Sequence, residues 1–170
     1  MTSLSYPDPV YLGETGEASA TYRPADHEPD IEYANGTRAH YLMKGDSSRG
    51  LFGLYRWEMS GAATGPGPHF HRTITESFYV LSGTIRIYDG RRWIDTGPGD
   101  FIHIPEGGIH GFRNESGAPA SMLIHFAPGA PREGYFEGNA AMARGAQMTD
   151  AEKEEFYRLH DNVWVPQADG

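Results

Sequence analysis

Two histidines and a glutamate close together in the chain are the residues whose types and spacing could do chemistry. His69 and His71 are separated by one residue, so on an extended segment both imidazoles point to the same side. Glu76 follows after a gap of four residues, which is long enough for a bend that returns its carboxylate toward them. Two imidazoles and one carboxylate are donors that a divalent transition metal binds. Such histidine pairs also occur on exposed strand edges without a metal, so the rest of the chain decides between the two interpretations.

A third histidine lies in the segment formed by residues 99–114. Pro105 ends a predicted strand there, and Glu106, Gly107 and Gly108 predict a tight turn, because the glycines permit positive φ. His110 would then begin the returning strand and face back across a barrel. It would complete a set of three nitrogens and one oxygen.

Composition restricts the kind of protein that carries these residues. A chain of 170 residues is most simply one domain with a sizeable core. The net charge of −9 argues against nucleic acid or an anionic membrane as a partner. The chain has no cysteine, which excludes disulfides, thiolate metal sites and a cysteine nucleophile. The N-terminus lacks a basic region followed by an apolar one, and no apolar run reaches the length of a membrane span, so we expect a cytoplasmic protein.

Short apolar runs broken by glycine, proline and Asp-Gly predict the elements that position these residues. Across the middle of the chain we expect eight strands, and the sequence there shows almost no helical periodicity. Many short strands without helices are typical of a sandwich or barrel. The strands are predicted at residues 39–44, 51–59, 77–81, 84–88, 92–95, 100–104, 111–114 and 120–126.

The two ends of the chain differ from the middle in their residue pattern. Residues 1–30 are predicted to form an irregular arm with one short strand at 18–22, and residues 31–130 the barrel. Residues 131–170 are predicted to form a helical extension packed on the barrel, with helices at 133–144 and 149–160 and a last pairing segment at 163–166. Thr149 and Glu152 have the spacing of a capping box, which marks the start of the second helix.

The spacing of these residues resembles the two motifs of the cupin superfamily. Gly99, Pro105, Gly107, His110 and Asn114 match the second motif position for position. The first motif is matched by a further four residues, namely His69, His71, Glu76 and Gly83. Ala63 stands where a glycine is usual, a departure that touches a loop and none of the metal-binding positions. Together with the gap between them, the two motifs span about a third of the chain.

This resemblance implies an all-β jelly-roll β-barrel with short C-terminal helices and a metal site at its centre. It implies that His69, His71, Glu76 and His110 bind one divalent transition metal ion, either Fe, Mn, Ni, Co, Cu or Zn. It also implies a homodimer. Glu76 has a second candidate role as a catalytic base that takes a proton from a substrate hydroxyl.

Alternation along the strands indicates which side chains share the barrel interior with this set. The candidates for binding a small-molecule substrate are Tyr55, Trp57, Phe78, Phe112 and Asn114. An aromatic lining around a metal suits a hydrophobic or ring-bearing compound, although aromatic residues inside barrels are often only core. His103 and His125 lack a ligand spacing and are interpreted either as residues that support the ligands from outside the donor set or as ordinary barrel residues.

Three functions are compatible with these residues. Residues 126–138, FAPGAPREGYFEG, are loosely similar to the tail of quercetinase-like monocupin dioxygenases. This similarity supports the subgroup rather than the substrate. Together with the aromatic lining, it favours an oxygenase that acts on a small aromatic or enolic compound with O₂ as co-substrate. The alternatives are a non-oxidative metal-dependent isomerase, lyase or polyketide cyclase, and a small-molecule-binding cupin without turnover, because fold constrains chemistry weakly.

Overall fold

Residues 5–166, the part of the chain that the computed structural model describes, form an all-β body followed by two α-helices and a last short strand. The strands are β1 (Ile31–Glu32), β2 (Arg38–Met43), β3 (Gly53–Met59), β4 (His69–Phe70), β5 (Thr75–Ser82), β6 (Ile85–Tyr88), β7 (Trp93–Thr96), β8 (Phe101–Ile104), β9 (Gly111–Arg113), β10 (Ala120–Ala127) and β11 (Val163–Trp164). The helices are α1 (Glu133–Ala143) and α2 (Asp150–Leu159).

Two layers of antiparallel strands make a jelly-roll barrel. One layer is a six-stranded sheet in the order β1-β2-β3-β10-β5-β8. The other consists of the sheet β7-β6-β9 and the pair β11-β4, which an antiparallel bridge between His69 and His110 joins. The all-β jelly-roll fold with short C-terminal helices is confirmed.

Alternating burial along the strands explains why they pack into two layers. On β3 and β10 every second residue is buried, as a sheet with one covered face requires. Trp57 lies opposite Met122, and Tyr55 lies opposite Ile124, on the inner face. Each large apolar side chain buried in this way stabilises the fold by roughly 1.5–3 kcal/mol. This core fixes the register of the strands that carry the histidines and the glutamate.

The predicted strands agree with the structure except at two places. The strand expected at residues 18–22 is absent, because that segment is extended and exposed and pairs with no other strand in the described part of the chain. The turn after Pro105 exists, with Gly108 N donating to the Pro105 carbonyl at 2.9 Å. However, β8 and β9 do not pair with each other, since the turn carries the chain from one layer to the other.

The C-terminal elements pack against the barrel. Phe136 of α1 lies with its ring centroid 5.1 Å from Trp57 and 5.2 Å from Tyr55. Gly138 allows α1 and α2 to pack closely, because a Cβ at this position would collide with the ring of Phe156 on α2. The predicted capping box at Thr149 is present, and Leu159 at the end of α2 is exposed. Within residues 5–166, no helix has the length and apolarity that crossing a membrane requires.

Candidate metal centre

The predicted donor residues come together on the inner surface of the barrel. His69 lies on β4, His71 follows that strand, Glu76 lies on β5 and His110 immediately precedes β9. All four side chains are buried, and one donor atom from each lies within 4.8 Å of the others. The proline- and glycine-rich loop before His69 cannot form a helix, so the chain enters β4 extended, with His69 and His71 both buried.

Each imidazole is oriented by a backbone carbonyl on its outer side. Nδ1 of His69 lies 2.8 Å from the Gly67 oxygen, and Nδ1 of His110 lies 2.9 Å from the Gly108 oxygen. Nδ1 of His71 lies 2.6 Å from the carbonyl oxygen of Asp161. Because a carbonyl oxygen only accepts, each Nδ1 carries the hydrogen and donates it. In the neutral imidazoles, Nε2 is left with a lone pair directed at the centre, as metal-binding histidines require.

The carboxylate of Glu76 gives the site a negative charge that a bound cation would balance. Its Oε2 lies 2.7 Å from Nε2 of His110 and 3.0 Å from Nε2 of His71. Because Nδ1 carries the hydrogen in both imidazoles, the lone pair of each Nε2 faces a lone pair of the Glu76 oxygen. This contact is repulsive unless a proton or a metal ion lies between the two atoms. Buried charges need such compensation. The donor set therefore fits a divalent transition metal ion, which three nitrogens and one oxygen bind readily.

Ionisation within the site follows from burial and from these contacts. Burial would raise the pKa of Glu76, but the interactions with His110 and His71 outweigh it and hold this pKa well below its usual range. Burial lowers the pKa of His69 to about 3, and the charge of His110 acts in the same direction. Burial would also lower the pKa of His110, but the charge of Glu76 and its hydrogen bond raise it. Glu76 is thus an anion at neutral pH, and His69 is a neutral donor.

A cavity of about 280 Å³ opens beside this set. His69 and Glu76 line it, so a molecule inside would lie against the donor residues. Its walls are largely aromatic, which favours a ring-bearing or otherwise apolar ligand. The aromatic lining residues are Tyr33, Trp57, Phe112, Phe126, Tyr135, Phe136, Tyr157 and Trp164.

Two of the five predicted substrate-binding residues, Trp57 and Phe112, line the cavity. The other three do not, which corrects their expected placement. Tyr55 and Phe78 are fully buried in the barrel core, and the Tyr55 hydroxyl donates to Glu133 at 2.6 Å. The Asn114 amide donates to the carbonyls of Ser60 and Ala118, both at 2.8 Å, and so closes a loop. Alternation identified the inner face correctly but not which part of it borders open space.

His103 and His125 lie away from the cavity, in agreement with their interpretation as ordinary barrel residues. Nδ1 of His103 is 2.9 Å from the Ser77 hydroxyl, on the side of β5 opposite to that of Glu76. The His125 ring stacks on Phe52 at 5.7 Å.

Two residues near the site were not assigned a role from the sequence, although Arg132 lies in the segment of residues 126–138. Asp161 offers its carbonyl to His71 and accepts hydrogen bonds through its carboxylate from Arg72 N and from Thr73 N and Oγ1, at 2.7–2.9 Å. Arg132 lines the cavity from the segment before α1. Both come from the C-terminal region, which only the fold brings to the barrel interior.

An antiparallel two-layered barrel with three histidines and one glutamate on its inner surface is the arrangement of a cupin. Residues 55–126 match the family described as Cupin domain. The chain therefore contains a domain of the cupin superfamily, as its two motifs predicted.

Particular cupins of known structure resemble the chain to different degrees. The polyketide cyclase RemF from Streptomyces resistomycificus is 27% identical, with a TM-score of 0.53, over 66% of this chain and 80% of that one. KdgF from a Halomonas species is 14% identical, with a TM-score of 0.55 over 65% of this chain and 94% of that chain. A predicted oxalate decarboxylase from Thermotoga maritima is 17% identical, with a TM-score of 0.56 over 64% and 99% of the two chains. The last two share the fold alone.

A local sequence match connects the chain with a characterised oxygenase. The chain is 38% identical to quercetin 2,3-dioxygenase from Bacillus subtilis over 48 residues. These residues are 28% of this chain and 14% of the length of the dioxygenase. The likeness is confined to that segment.

Proposed function

We propose that this protein is a metal-dependent enzyme that converts a small aromatic or enolic compound, with O₂ as co-substrate. The observation that carries the proposal is the aromatic cavity that opens directly onto the buried set of three histidines and one glutamate. A ligand in this cavity would lie against aromatic rings and border the donor residues, and an apolar setting beside a metal favours oxygenation of a reactive anion.

The chain's own residues define what happens around the metal position. His69, His71, Glu76 and His110 would hold a divalent ion such as Fe, Mn, Ni, Co, Cu or Zn, which supplies a Lewis acid and, for a redox-active metal, a path for electrons. Glu76 borders the cavity and is ionised at neutral pH, so it can accept a proton from a substrate hydroxyl. Its low pKa makes it a weak base and a good metal ligand, and the ligand role is therefore the first that we assign.

Two similarities support different versions of the reaction. The match to quercetin 2,3-dioxygenase favours oxygenation of a flavonol-type compound. The likeness to a polyketide cyclase favours a second candidate, which is non-oxidative conversion of a polyketide-like compound in the same cavity. Both candidates use an aromatic or enolic substrate and the same residues.

The presence or absence of O₂ separates the two candidates. Protein reconstituted with each first-row metal is incubated with flavonol and catechol compounds while O₂ consumption and products are measured. We expect O₂ uptake matched to product, and loss of both in His71→Ala. Equal turnover under nitrogen would replace the oxygenase with the non-oxidative enzyme. Ligand binding without turnover under either condition would leave a binding protein.

A further inference from the structure

Arg132 is a buried cation inside the proposed substrate cavity. It lies immediately before α1, is 3% exposed and lines the same cavity as His69 and Glu76. Its guanidinium carbon lies 4.3 Å from the ring centroid of Tyr135 and 5.0 Å from that of Phe126. These contacts hold the charged group in one place on the cavity wall.

The hydrogen-bonding capacity of Arg132 is largely unused. A guanidinium has five N–H donors. Nη1 donates to the carbonyl of His160 at the end of α2, but Nε has no partner among residues 5–166. Among the same residues, three carboxylates lie near it, and each makes its hydrogen bonds to other groups. Glu76 contacts His71 and His110, and Glu133 accepts from Tyr55. Asp161 accepts from Arg72 and Thr73.

A purely structural role does not account for this charge. Burying an arginine without a paired anion is costly, and an apolar side chain of similar size would fill the space between the rings at lower cost. The one bond to His160 and the packing on aromatic rings recover only part of that cost. When a divalent ion is held at the donor set, Glu76 balances one of its charges and Arg132 adds another. The cavity then has excess positive charge that an anionic ligand would neutralise.

We propose that Arg132 recognises an anionic oxygen of the substrate, and that the substrate is a small aromatic acid whose carboxylate pairs with the guanidinium. The planar guanidinium matches a carboxylate in geometry and forms charge-assisted hydrogen bonds with it. The aromatic walls would hold the ring of the same molecule. This inference rests on the proposed function for the location of the substrate and adds the chemical class of that substrate.

The test compares anionic and neutral probes of the same shape. Binding of 2-naphthoate and 2-naphthamide, and of benzoate and benzamide, is measured by calorimetry on the metal-loaded protein. We expect the wild type to bind each acid at least about tenfold more tightly than its amide, and Arg132→Gln to bind both members of a pair alike. Arg132→Lys should retain part of the preference, because the charge remains but the planar geometry is lost.

Arg113→Gln is the matched control. Arg113 also packs over an aromatic ring, 4.2 Å from the centroid of Trp93, but it does not line the cavity. This variant should keep the preference of the wild type. Metal content and thermal unfolding are measured on every variant, because a merely structural Arg132 would lower the unfolding temperature and leave the acid-to-amide ratio unchanged.

Several outcomes would overturn the inference. They are equal binding of acids and amides by the wild type, a preference that survives in Arg132→Gln, or no binding of either acid. If Arg132→Gln does not fold, the wild-type ratio and the Arg132→Lys ratio still decide. If the wild type prefers acids over amides but turns over no compound, only the proposed enzymatic function is contradicted. If it turns over a neutral compound and binds acids and amides alike, only the proposed role of Arg132 is contradicted.

Discussion

Glu76 supplies the negative charge of the buried donor set. It contacts two imidazoles through one oxygen, and these contacts keep its pKa below the usual range despite complete burial. An ionised carboxylate with low proton affinity binds a metal well and takes protons weakly. We therefore propose the ligand role for Glu76 ahead of the role as a base.

Replacement of Glu76 by glutamine tests this proposal. Glu76→Gln preserves the shape of the side chain but removes its charge, so we expect divalent-metal affinity to fall at least about tenfold, as losses of site carboxylates and their partners commonly do. Metal content and affinity are measured by elemental analysis and competition with a chelating dye. His103→Gln is the control, since His103 is exposed and lies outside the set. A Glu76→Gln protein that keeps its metal with wild-type affinity but loses turnover would instead identify Glu76 as the base.

At the scale of elements, the segment that contains β11 contacts the strand and the loop that carry His69 and His71. Trp164 pairs with His69, and its ring lies 5.3 Å from the imidazole. Just before this strand, Asp161 ties its carboxylate to the loop after His71 and its carbonyl to His71 itself. The C-terminal segment therefore orients a donor residue that is distant in sequence.

Removal of the Asp161 carboxylate should loosen this loop. Asp161 has a φ of 50°, which glycine adopts without strain, so Asp161→Gly isolates the loss of the hydrogen bonds. We expect the free energy of unfolding to fall by about 1–3 kcal/mol and metal affinity to fall as well. Chemical unfolding with and without added metal measures both effects, and Arg49→Gly, at an exposed residue with a φ of 60°, controls for a glycine substitution at positive φ. Unchanged metal affinity in Asp161→Gly would show that the segment does not position His71.

The loop that leads into β4 offers a second element with a matched control. Gly65 has a φ of 143°, and a Cβ there would collide with the backbone of Phe112 and Arg113. Gly67 has an ordinary φ, and a Cβ on it would meet no other atom within 4 Å. We expect Gly65→Ala to lower the free energy of unfolding by at least about 2 kcal/mol, and Gly67→Ala to change it by less than about 1 kcal/mol. Urea unfolding measures both, and equal effects would contradict this account of the loop.

For the whole molecule, the outer face of the six-stranded sheet presents apolar side chains beside an edge strand. Tyr79 and Phe101 lie opposite each other on β5 and β8 and are 43% and 63% exposed, and Leu81 follows on β5. An edge strand with exposed apolar residues is a template for pairing with another chain. We propose that this face joins two copies of the protein, which is the homodimer that the cupin motifs imply.

Association through this face can be tested with one charge. We expect the wild type to sediment as a dimer and Phe101→Glu to sediment as a monomer, because a buried unpaired carboxylate would be costly at the interface. Leu51→Glu is the control, since Leu51 is also 63% exposed but lies outside the sheets. A monomeric wild type, or a Phe101→Glu protein that remains dimeric, would exclude this interface.

The sequence predicted correctly those structural features whose physical cause acts between residues close together in the chain. Alternation along strands, the turn residues and the capping box at Thr149 act over a few positions, and these predictions are confirmed. The strand expected at 18–22 is wrong because local propensity cannot supply a partner strand. The placement of β8 and β9 in different sheets was also not predictable, since a tight turn can return a strand to its own sheet or carry it to the opposite one.

By itself, the sequence determined the donor types, their spacing and the barrel that brings His69, His71, Glu76 and His110 together. The donor types and the strands follow from residue spacing and strand periodicity, and the barrel with its assembled donor set follows from the resemblance of the two motifs to those of cupins. Only the tertiary structure decided that Trp57 and Phe112 border the cavity while Tyr55, Phe78 and Asn114 do not. It also decided that Arg132 lies beside the donor set. The physical reason is that periodicity fixes which side of a strand a residue occupies, whereas the packing of distant segments fixes what covers it.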